Sequence, residues 1–513
     1  MKAILRIVVV SLAVCASAGA QSAEEVIKRH VKAAGGEKRL KGIVTSRYEG
    51  TVSINGSAPR PFTWLMQRPD RLYIESQSET GPVIEAYNGR SGWRDDPAGG
   101  VRTLTGREQA RSRAMALFLN DRFQNYKKEK IKVGPAGEDT VSGRAVYVVQ
   151  MTNPAGVQRK LYFDRQNYAL LKEWHERDDG AEEIYFRDFR PLNGVLEPRR
   201  IEWRREGAVF EVALNEIAHN SLVNVSTFDF PRRAQAALPD IAALLREVEK
   251  NQETVEKLRE NYTYNLTETS LEVDNKGKLK QKEEKTYEIV HLGSGWTLRK
   301  LIAENGRKLA PDDERKEQKK AIEYIEKFEK WKKEEPQRKS KEEKEKAKRA
   351  AQGKPEEDDD DLEVSDFLRI TQLSNPRRER FRGQDVLVFE FSPRAGYKPR
   401  NRAESLVSKL AGVVWIAENE KQVARLEARM LENMRMGGGL LASFHRGSAA
   451  VFEQEMVKGE VWLPRYAELN FSARVMLLAG VKVNRVLRFD HYQRFNVESI
   501  SEIKAPQASS PPQ

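Results

Sequence analysis

The strongest structural signal lies at Phe62-Thr-Trp64-Leu-Met-Gln-Arg68-Pro69-Asp-Arg-Leu72-Tyr73. The runs Phe62–Met66 and Leu72–Glu75 have the length of β-strands, and the Arg-Pro-Asp between them is a turn sequence. Comparable runs recur at Val146–Met151, Ile201–Arg205 and Val209–Leu214. Because Gly, Pro or Asn-Gly separate these runs, the sequence predicts a mainly β fold.

Composition excludes several classes of protein. A chain of 513 residues is long enough for two to four domains, at roughly 100–200 residues each. A long apolar run occurs only in the first twenty residues, which argues against a protein with several membrane spans. Cys15 is the single cysteine, which excludes a disulfide framework and a Cys-based zinc site. The net charge of +12 favours acidic partners but indicates no fold.

The N-terminus has the pattern of an export signal. Lys2 and Arg6 precede the apolar run Ile7–Val14, and Ala18-Gly-Ala20 offers a small-residue cleavage site. We expect residues 1–20 to be a signal peptide and the protein to be periplasmic. The alternative is a lipid anchor on Cys15, which the bulky residue before it disfavours.

The rest of the chain looks like one fold used twice. Short motifs recur in the same order, which is the signature of an internal repeat. The matched pairs are Ala86-Tyr-Asn-Gly-Arg90 with Ala303-Glu-Asn-Gly-Arg307, Gly143–Val148 with Gly383–Val388, Leu161–Phe163 with Val414–Ile416, Gly194–Arg199 with Gly459–Arg465, and Phe228 with Phe495. We therefore expect one domain at 21–232, a second at 237–503, and a disordered tail at 504–513.

Helices are predicted at equivalent places in the two copies. Apolar spacing predicts a helix at Glu25–Leu40 and another at Asp240–Glu260, each just before a strand. A third helix is predicted at Arg107–Phe123, in the middle of the first copy. The expected architecture is α+β, an antiparallel sheet covered on one face by helices in each copy.

The second copy carries a highly charged insertion at 313–362. Residues 311–360 contain 16 Lys and Arg and 17 Asp and Glu, so this block cannot bury enough apolar surface to fold alone. Its first part has an apolar stripe at helical spacing, formed by Ile322, Ile325, Phe328 and Trp331. The stripe either packs on its own domain or belongs to a mobile lid or a membrane-surface helix.

No residue pattern points to catalysis. The six histidines are scattered, no Gly-x-Ser-x-Gly sequence occurs, and Gly437–Gly439 lacks the Lys-Ser/Thr of a phosphate loop. We predict no catalytic residue, no metal, no cofactor and no nucleic-acid partner, so the protein is not expected to be an enzyme. A hydrolase is conceivable but has no motif to support it.

Tryptophans lie in or beside many of the strand-like runs. On an antiparallel sheet alternate side chains share one face, so a curved sheet could line an apolar cavity with such rings. An ordinary filled core would produce the same pattern, and the sequence pattern alone does not decide between the two.

Family resemblance favours the cavity. The stretch 62–73, followed by Ala86-Tyr-Asn-Gly89 and Gly92-Trp93, resembles the LolA-like family of periplasmic lipoprotein carriers and outer-membrane lipoprotein-sorting proteins. Tyr162-Phe-Asp164 resembles a later strand of that family. The resemblance covers 23–232 directly and 237–500 through the internal repeat. It implies an incomplete antiparallel β-barrel in each copy, with an N-terminal helix and a helical lid over a cavity for acyl chains.

The resemblance also implies a site. Its ligand-binding residues are expected to be Trp64, Leu72, Trp93, Met115, Phe118 and Tyr162. Arg68 matches the family arginine that latches the lid, although a surface ion pair is the plain alternative. The second copy has no Arg-Pro around Tyr287–Leu301, so a second latch of this kind is not expected. The expected function is a non-enzymatic carrier of lipid or lipoprotein acyl chains. The alternative is a two-domain periplasmic sensor that binds lipoproteins and a membrane-bound protein partner.

Overall fold

The structure is a computed structural model. It describes residues 21–134, 136–153, 157–177, 180–205, 207–231, 238–273, 279–293, 295–351, 367, 369–436, 442–475 and 481–494. The predicted signal peptide at 1–20, the glycines 437–439 and the tail at 504–513 lie outside these residues. Residues 21–231 are called the first half below, and residues 238–494 the second half.

In its described residues, the first half contains three helices, fourteen strands and a short 3-10 turn at Val225–Phe228. The helices are α1 (Ala23–Ala33), α2 (Glu37–Lys41) and α3 (Gly106–Asp121). The strands are β1 (Thr45–Ile54), β2 (Arg60–Gln67), β3 (Arg71–Gln77), β4 (Pro82–Asn88), β5 (Gly92–Asp96), β6 (Gly100–Thr103), β7 (Lys132–Val133), β8 (Gly137–Val141), β9 (Arg144–Thr152), β10 (Gln158–Asp164), β11 (Leu170–Arg177), β12 (Gly180–Leu192), β13 (Val195–Arg205) and β14 (Ala208–His219).

These strands form one antiparallel sheet in the order β6-β5-β4-β3-β2-β1-β14-β13-β12-β11-β10-β9-β7, with β8 also paired to β9. The first and last strands of the half are neighbours, since Tyr48 of β1 lies opposite Ile217 of β14. The edge strands β6 and β7 are not paired with each other in the described part of the chain, so the sheet is open.

The second half contains three helices and thirteen strands in the described residues. The helices are α4 (Ile241–Arg259), α5 (Pro311–Ala351) and α6 (Arg402–Val407). The strands are β15 (Tyr262–Val273), β16 (Leu279–Gly293), β17 (Trp296–Glu304), β18 (Arg307–Lys308), β19 (Thr371–Phe381), β20 (Gln384–Pro393), β21 (Leu410–Ala417), β22 (Gln422–Met430), β23 (Met434–Met436), β24 (Ala442–Phe444), β25 (Ala449–Val457), β26 (Val461–Val475) and β27 (Val481–Arg494).

The second sheet repeats the plan of the first. Its order is β18-β17-β16-β15-β27-β26-β25-β22-β21-β20-β19, again with the first strand beside the last. A helix precedes the first strand in each half, and a second helix is inserted between the two arms of the sheet. The predicted fold class, mainly β with two open antiparallel sheets, is confirmed.

Three of the matched motifs occupy equivalent places. Gly143 and Gly383 lie in the hairpins that lead into β9 and β20, and Gly194 and Gly459 lie in those that lead into β13 and β26. In all four hairpins the residue before the glycine also has positive φ, as two-residue turns between twisted strands require. Leu161–Phe163 lies in β10, which pairs with β11. Val414–Ile416 lies in β21, which pairs with β22 in the same way.

The Asn-Gly match is shifted by one strand. Asn88 and Gly89 follow the fourth strand of the first half, whereas Asn305 and Gly306 follow the third strand of the second half. The second half therefore has one strand fewer before this turn, which sequence similarity alone did not reveal. Of the last matched pair, Phe228 is fully buried and Phe495 lies outside the described residues.

The helices agree with the periodicity except at one break. The helix predicted at Glu25–Leu40 is two helices, α1 and α2, because Gly35 and Gly36 between them have φ values of 134° and 85°. Such values are open to glycine and strained for other residues. Ser22 caps α1 by accepting a hydrogen bond from the backbone N–H of Glu25, and Asp240 caps α4 in the same way.

The charged insertion begins as a long helix, α5, packed on its own half. Ile325 and Phe328 are buried, and Ile325 packs with Val290 and Leu298 of the sheet. The ring of Trp331 lies 5.7 Å from that of Trp296. Over this part of α5, the apolar stripe therefore packs against the second half itself. In the described part of the chain, no helix is long and apolar enough to cross a membrane.

Polar contacts join the two halves. Glu390, which is fully buried, accepts hydrogen bonds from the Asn88 side chain at 3.0 Å and from the Ser91 hydroxyl. The backbone N–H of Gly106, the first residue of α3, donates to Glu427 at 2.8 Å. Arg429 donates to the carbonyl of Gly89 at 2.7 Å. The second half thus contacts the end of β4, the turn that follows it and the start of α3.

Candidate functional site

An apolar cavity lies in the first half, between the inner face of the sheet and its three helices. Its volume is about 130 Å³. The lining residues come from α1 to α3 and from strands β1, β2, β11, β12 and β13, and they are His30, Ala34, Leu40, Tyr48, Trp64, Met66, Phe118, Leu119, Arg122, Phe123, Leu170, Glu173, Phe186, Phe189, Leu196, Glu197 and Pro198. This volume is close to that of an apolar cavity that holds benzene, about 150 Å³, so it accommodates a short hydrocarbon segment.

Two of the predicted ligand residues, Trp64 and Phe118, line this cavity. Trp64 lies opposite Tyr48 across β1 and β2, with 5.1 Å between ring centroids. Its indole N–H is buried and has no hydrogen-bond partner in the described part of the chain. The guanidinium of Arg159 lies 3.6 Å from the ring centroid of Phe118.

The other predicted ligand residues are distributed over three clusters. Leu72 is fully buried, and Met115 packs in the same cluster as Leu72 and Trp64, behind the cavity wall. Trp93 packs against Tyr73 and Phe230 in a separate cluster, where its indole N–H donates to the carbonyl of Phe228 at 2.8 Å. Tyr162 is buried in a third cluster beneath Lys172. Trp93 and Tyr162 are thus not among the residues that line the cavity.

Arg68 donates a hydrogen bond to α2 rather than to α3, the helix that lies over the cavity. Its Nη2 donates to the carbonyl of Leu40 at 3.0 Å. Burial lowers the pKa of Arg68, and the nearby carboxylate of Asp121, at the end of α3, offsets this only in part. The proposed latch at Arg68 therefore stays a prediction.

A buried ion pair fastens the end of α3 to the sheet. Arg122 follows the helix with a left-handed φ of 47° and donates to Glu197 of β13 at 2.6 Å and to the hydroxyl of Tyr48 at 2.8 Å. The Tyr48 hydroxyl donates to Glu197 at 3.0 Å, and His219 Nε2 lies 3.0 Å from the same carboxylate. Burial would raise the pKa of Glu197, but the charges and hydrogen bonds of Arg122 and His219 together outweigh it and bring the pKa to about 2.

His30 gives the cavity wall a neutral polar atom. Its Nδ1 lies 2.8 Å from the carbonyl of Tyr168, which can only accept, so Nδ1 carries the proton. Burial lowers the pKa of His30 to about 4, so the ring is neutral at pH 7 and Nε2 is an acceptor. The ring is held between Phe123 and Phe163, at 5.0 and 4.9 Å.

Sequence reasoning missed most of this wall. Phe186 and Phe189 both line the cavity, and Asp188 between them, with φ of 52°, interrupts the extended backbone of β12 without shifting its register against β13. Simple alternation would place these two rings on opposite faces. Arg122 and Glu197 are 75 residues apart, and no local pattern in the sequence pairs them. In the described part of the chain, no group of acidic, His or Cys side chains could hold a metal.

Comparisons with known proteins concern the fold. No family model and no curated protein matches the chain. Among solved structures, it is similar to a LolA superfamily protein of Nitrosomonas europaea, with 13% identity and a TM-score of 0.28 over 42% of this chain and 99% of that one. An outer membrane lipoprotein-sorting protein domain of Vibrio parahaemolyticus gives 13% identity and a TM-score of 0.28, over 40% of this chain and 94% of that one.

A match that spans nearly the whole chain is the MucA/MucB complex structure of Pseudomonas aeruginosa. It covers 94% of this chain and 99% of that one, with 9% identity and a TM-score of 0.17. The matched LolA superfamily and lipoprotein-sorting structures cover about 40% of this chain, and the MucA/MucB structure covers most of it.

Proposed function

We propose that this protein is a non-enzymatic periplasmic carrier that holds an acyl chain of a lipid or lipoprotein in the apolar cavity of its first half. The observation that carries the proposal is the cavity itself, a space of about 130 Å³ between the sheet and α3 that is lined mostly by aromatic and aliphatic side chains, with His30, Arg122, Glu173 and Glu197 as its polar members. Each methylene moved from water into such a space gains about 0.8 kcal/mol, and no catalytic residue is needed for that gain.

The size of the cavity implies that α3 moves when a long chain binds. The present space holds a short hydrocarbon segment, whereas a full acyl chain needs more room. The helix is the wall that would have to move: Met115, Ala116 and Leu119 pack against the sheet, and the polar contacts of Arg122 fasten the end of the helix. Transfer between lipoprotein-sorting partners at the outer membrane would follow from such opening and closing.

The proposal is tested by filling the cavity from one side. Ala34, at the C-terminus of α1, lines the cavity, whereas Ala33 beside it is exposed. We expect Ala34→Trp to weaken binding of the fluorescent fatty acid cis-parinaric acid at least about tenfold, since displacing two methylenes removes about 1.6 kcal/mol. Ala33→Trp is the matched control and should bind like the parent chain.

Two results would count against the carrier. One is a mature chain that takes up no cis-parinaric acid and yields no lipid on organic extraction and mass spectrometry. The other is an Ala34→Trp variant that binds as tightly as the parent, which would place the lipid elsewhere.

A second candidate, the sensor that also binds a membrane protein, is favoured by α5. The apolar contacts of this helix lie around Ala321, Ile325 and Phe328, whereas the helix continues to Ala351. Deleting 313–362 would remove those contacts, so deleting 336–362 is the cleaner test. The sensor predicts that the shorter deletion abolishes crosslinking to a membrane protein in cells and leaves fatty-acid binding intact. Unchanged crosslinking would dismiss it.

A further inference from the structure

A second space lies between α3 and the inner face of the second sheet, and it is called the interhalf cleft below. Its volume is about 130 Å³. Its roof comes from α3 and the end of β4, and its floor from β21, β22 and β25. The floor is made of small side chains, among them Ala411, Gly412 and Ala428, which leaves the space open. Because one water needs about 10–15 Å³ of such volume, the cleft has room for a group of several heavy atoms.

The charges around the interhalf cleft are unbalanced. Five arginines line it, and they are Arg90, Arg107, Arg111, Arg113 and Arg429. Two carboxylates line it as well, Glu427 and Glu468. Glu427 is already engaged by Arg425, through Nε at 2.8 Å, and by the backbone of Gly106. Glu468 accepts from Tyr466 at 2.9 Å and from Asn470 at 2.8 Å. Of the five arginines, Arg90 forms an ion pair with Glu390 at 3.9 Å, and Arg107 and Arg111 have partners as well. Buried Nε atoms without a hydrogen-bond partner belong to Arg113 and Arg429.

Several donors in the cleft are buried without a partner. The hydroxyl of Tyr87, a fully buried residue, and the Nε atoms of Arg113 and Arg429 have no hydrogen-bond partner in the described part of the chain. Unpaired buried donors are rare in proteins and each needs an explanation, for which a bound ion is a standard one. All three donors belong to residues that line the same space.

The electrostatics of these groups agree with a missing negative charge. Burial lowers the pKa of Arg113, and the neighbouring charge of Arg429 lowers it further. Asp70 lies near both arginines, and its own pKa is raised by burial. The charge of Asp70 raises the pKa of Arg113, but by less than burial and Arg429 together lower it. Two guanidinium groups that repel each other across a small space are stabilised by an anion placed between them.

We propose that the interhalf cleft binds a phosphate group, held by Arg113, Arg429 and Tyr87. The donors come from both halves and outnumber the two oxygens of a carboxylate, whereas a phosphate presents three or four oxygens to them. The group can be free inorganic phosphate or the headgroup of an anionic lipid, since both carry the same oxygens. This site is separate from the apolar cavity and does not depend on it.

The test is calorimetric titration of the mature chain with two probes, inorganic phosphate and dihexanoyl-phosphatidic acid below its micelle concentration. We expect one saturable site for at least one probe. Arg113→Gln and Arg429→Gln should each weaken it at least about tenfold, and Tyr87→Phe, which removes one oxygen, should weaken it several-fold. Arg102→Gln is the matched control, because Arg102 pairs with Glu108 outside the cleft, and it should bind like the parent.

The probes also separate the two sources of the phosphate. Equal affinity for both probes assigns the site to free phosphate, and a preference for the lipid probe assigns it to a headgroup. Absence of saturable binding by both probes would overturn the proposal. So would full affinity in Tyr87→Phe and Arg429→Gln together, with both variants folded by circular dichroism.

Discussion

The two halves share one strand order but use their interiors differently. In the first half, α3 lies over β2 to β5 and leaves a cavity beneath it. In the second half, α5 occupies the same place in the chain but packs against β17 near the edge of the sheet. The position of the inserted helix, rather than the sheet, therefore decides where a cavity can form.

The tryptophans show the same contrast. Trp415 of β21 is 1% exposed and Trp462 of β26 is 3% exposed, and both belong to one dense cluster with Val386 and Val388. In the first half, Trp64 is only half-buried and borders the cavity. Trp64 thus borders a space, whereas Trp415 and Trp462 are packed as core.

The largest expected effect tests the contrast between the packed Trp415 and the cavity-bordering Trp64. Trp415→Ala should lower the free energy of unfolding by about 4 kcal/mol, because it leaves a cavity in a filled core. Trp64→Ala should lower it by about 2 kcal/mol or less, since that ring already borders a space. Urea denaturation of both variants and the parent would measure this difference. Equal losses would show that the two interiors are packed alike.

The sequence predicted the strands and the repeat well, because turn residues such as Gly143 and Gly383 mark hairpins locally. It predicted less of the site. Trp64 and Phe118 lie at the cavity, but Trp93 fills a cluster under Phe230, since its strand turns that ring to another face of the sheet. Contacts that depend on an irregular residue, as at Asp188 with its positive φ, or on distant partners have no local pattern to reveal them.

A second, smaller effect should distinguish Arg122 from Arg68, the two arginines near the end of α3. Arg122→Gln removes the cation from the buried carboxylate of Glu197, so we expect a loss of about 3 kcal/mol and faster uptake of cis-parinaric acid. Arg68→Gln removes one hydrogen bond to Leu40, with an expected loss of about 1 kcal/mol. Stopped-flow fluorescence and urea denaturation give both quantities. The opposite ranking would assign the latch to Arg68, as the family resemblance implies.

The smallest effect compares the two halves through their buried histidines. Burial lowers the pKa of His30 to about 4, and a histidine in an unfolded chain titrates near 6.5. Between these values the unfolded chain binds the additional proton, so the stability of the first half falls as the pH falls. The expected loss is about 2.5 kcal/mol on going from pH 7.5 to 4.5. Glu197 does not contribute in this window, because its stabilisation is lost only below about pH 4.5, towards its own pKa of about 2.

The variant His30→Phe isolates this contribution, because it keeps a ring between Phe123 and Phe163 and removes the titrating group. Its stability in urea should change less than that of the parent between pH 7.5 and 4.5. His291→Gln is the control in the second half, where burial also lowers the pKa of His291. A smaller change in His291→Gln than in His30→Phe would place the acid sensitivity in the second half. That result would contradict the expectation that His30, in the first half, makes the larger contribution to the loss of stability at low pH.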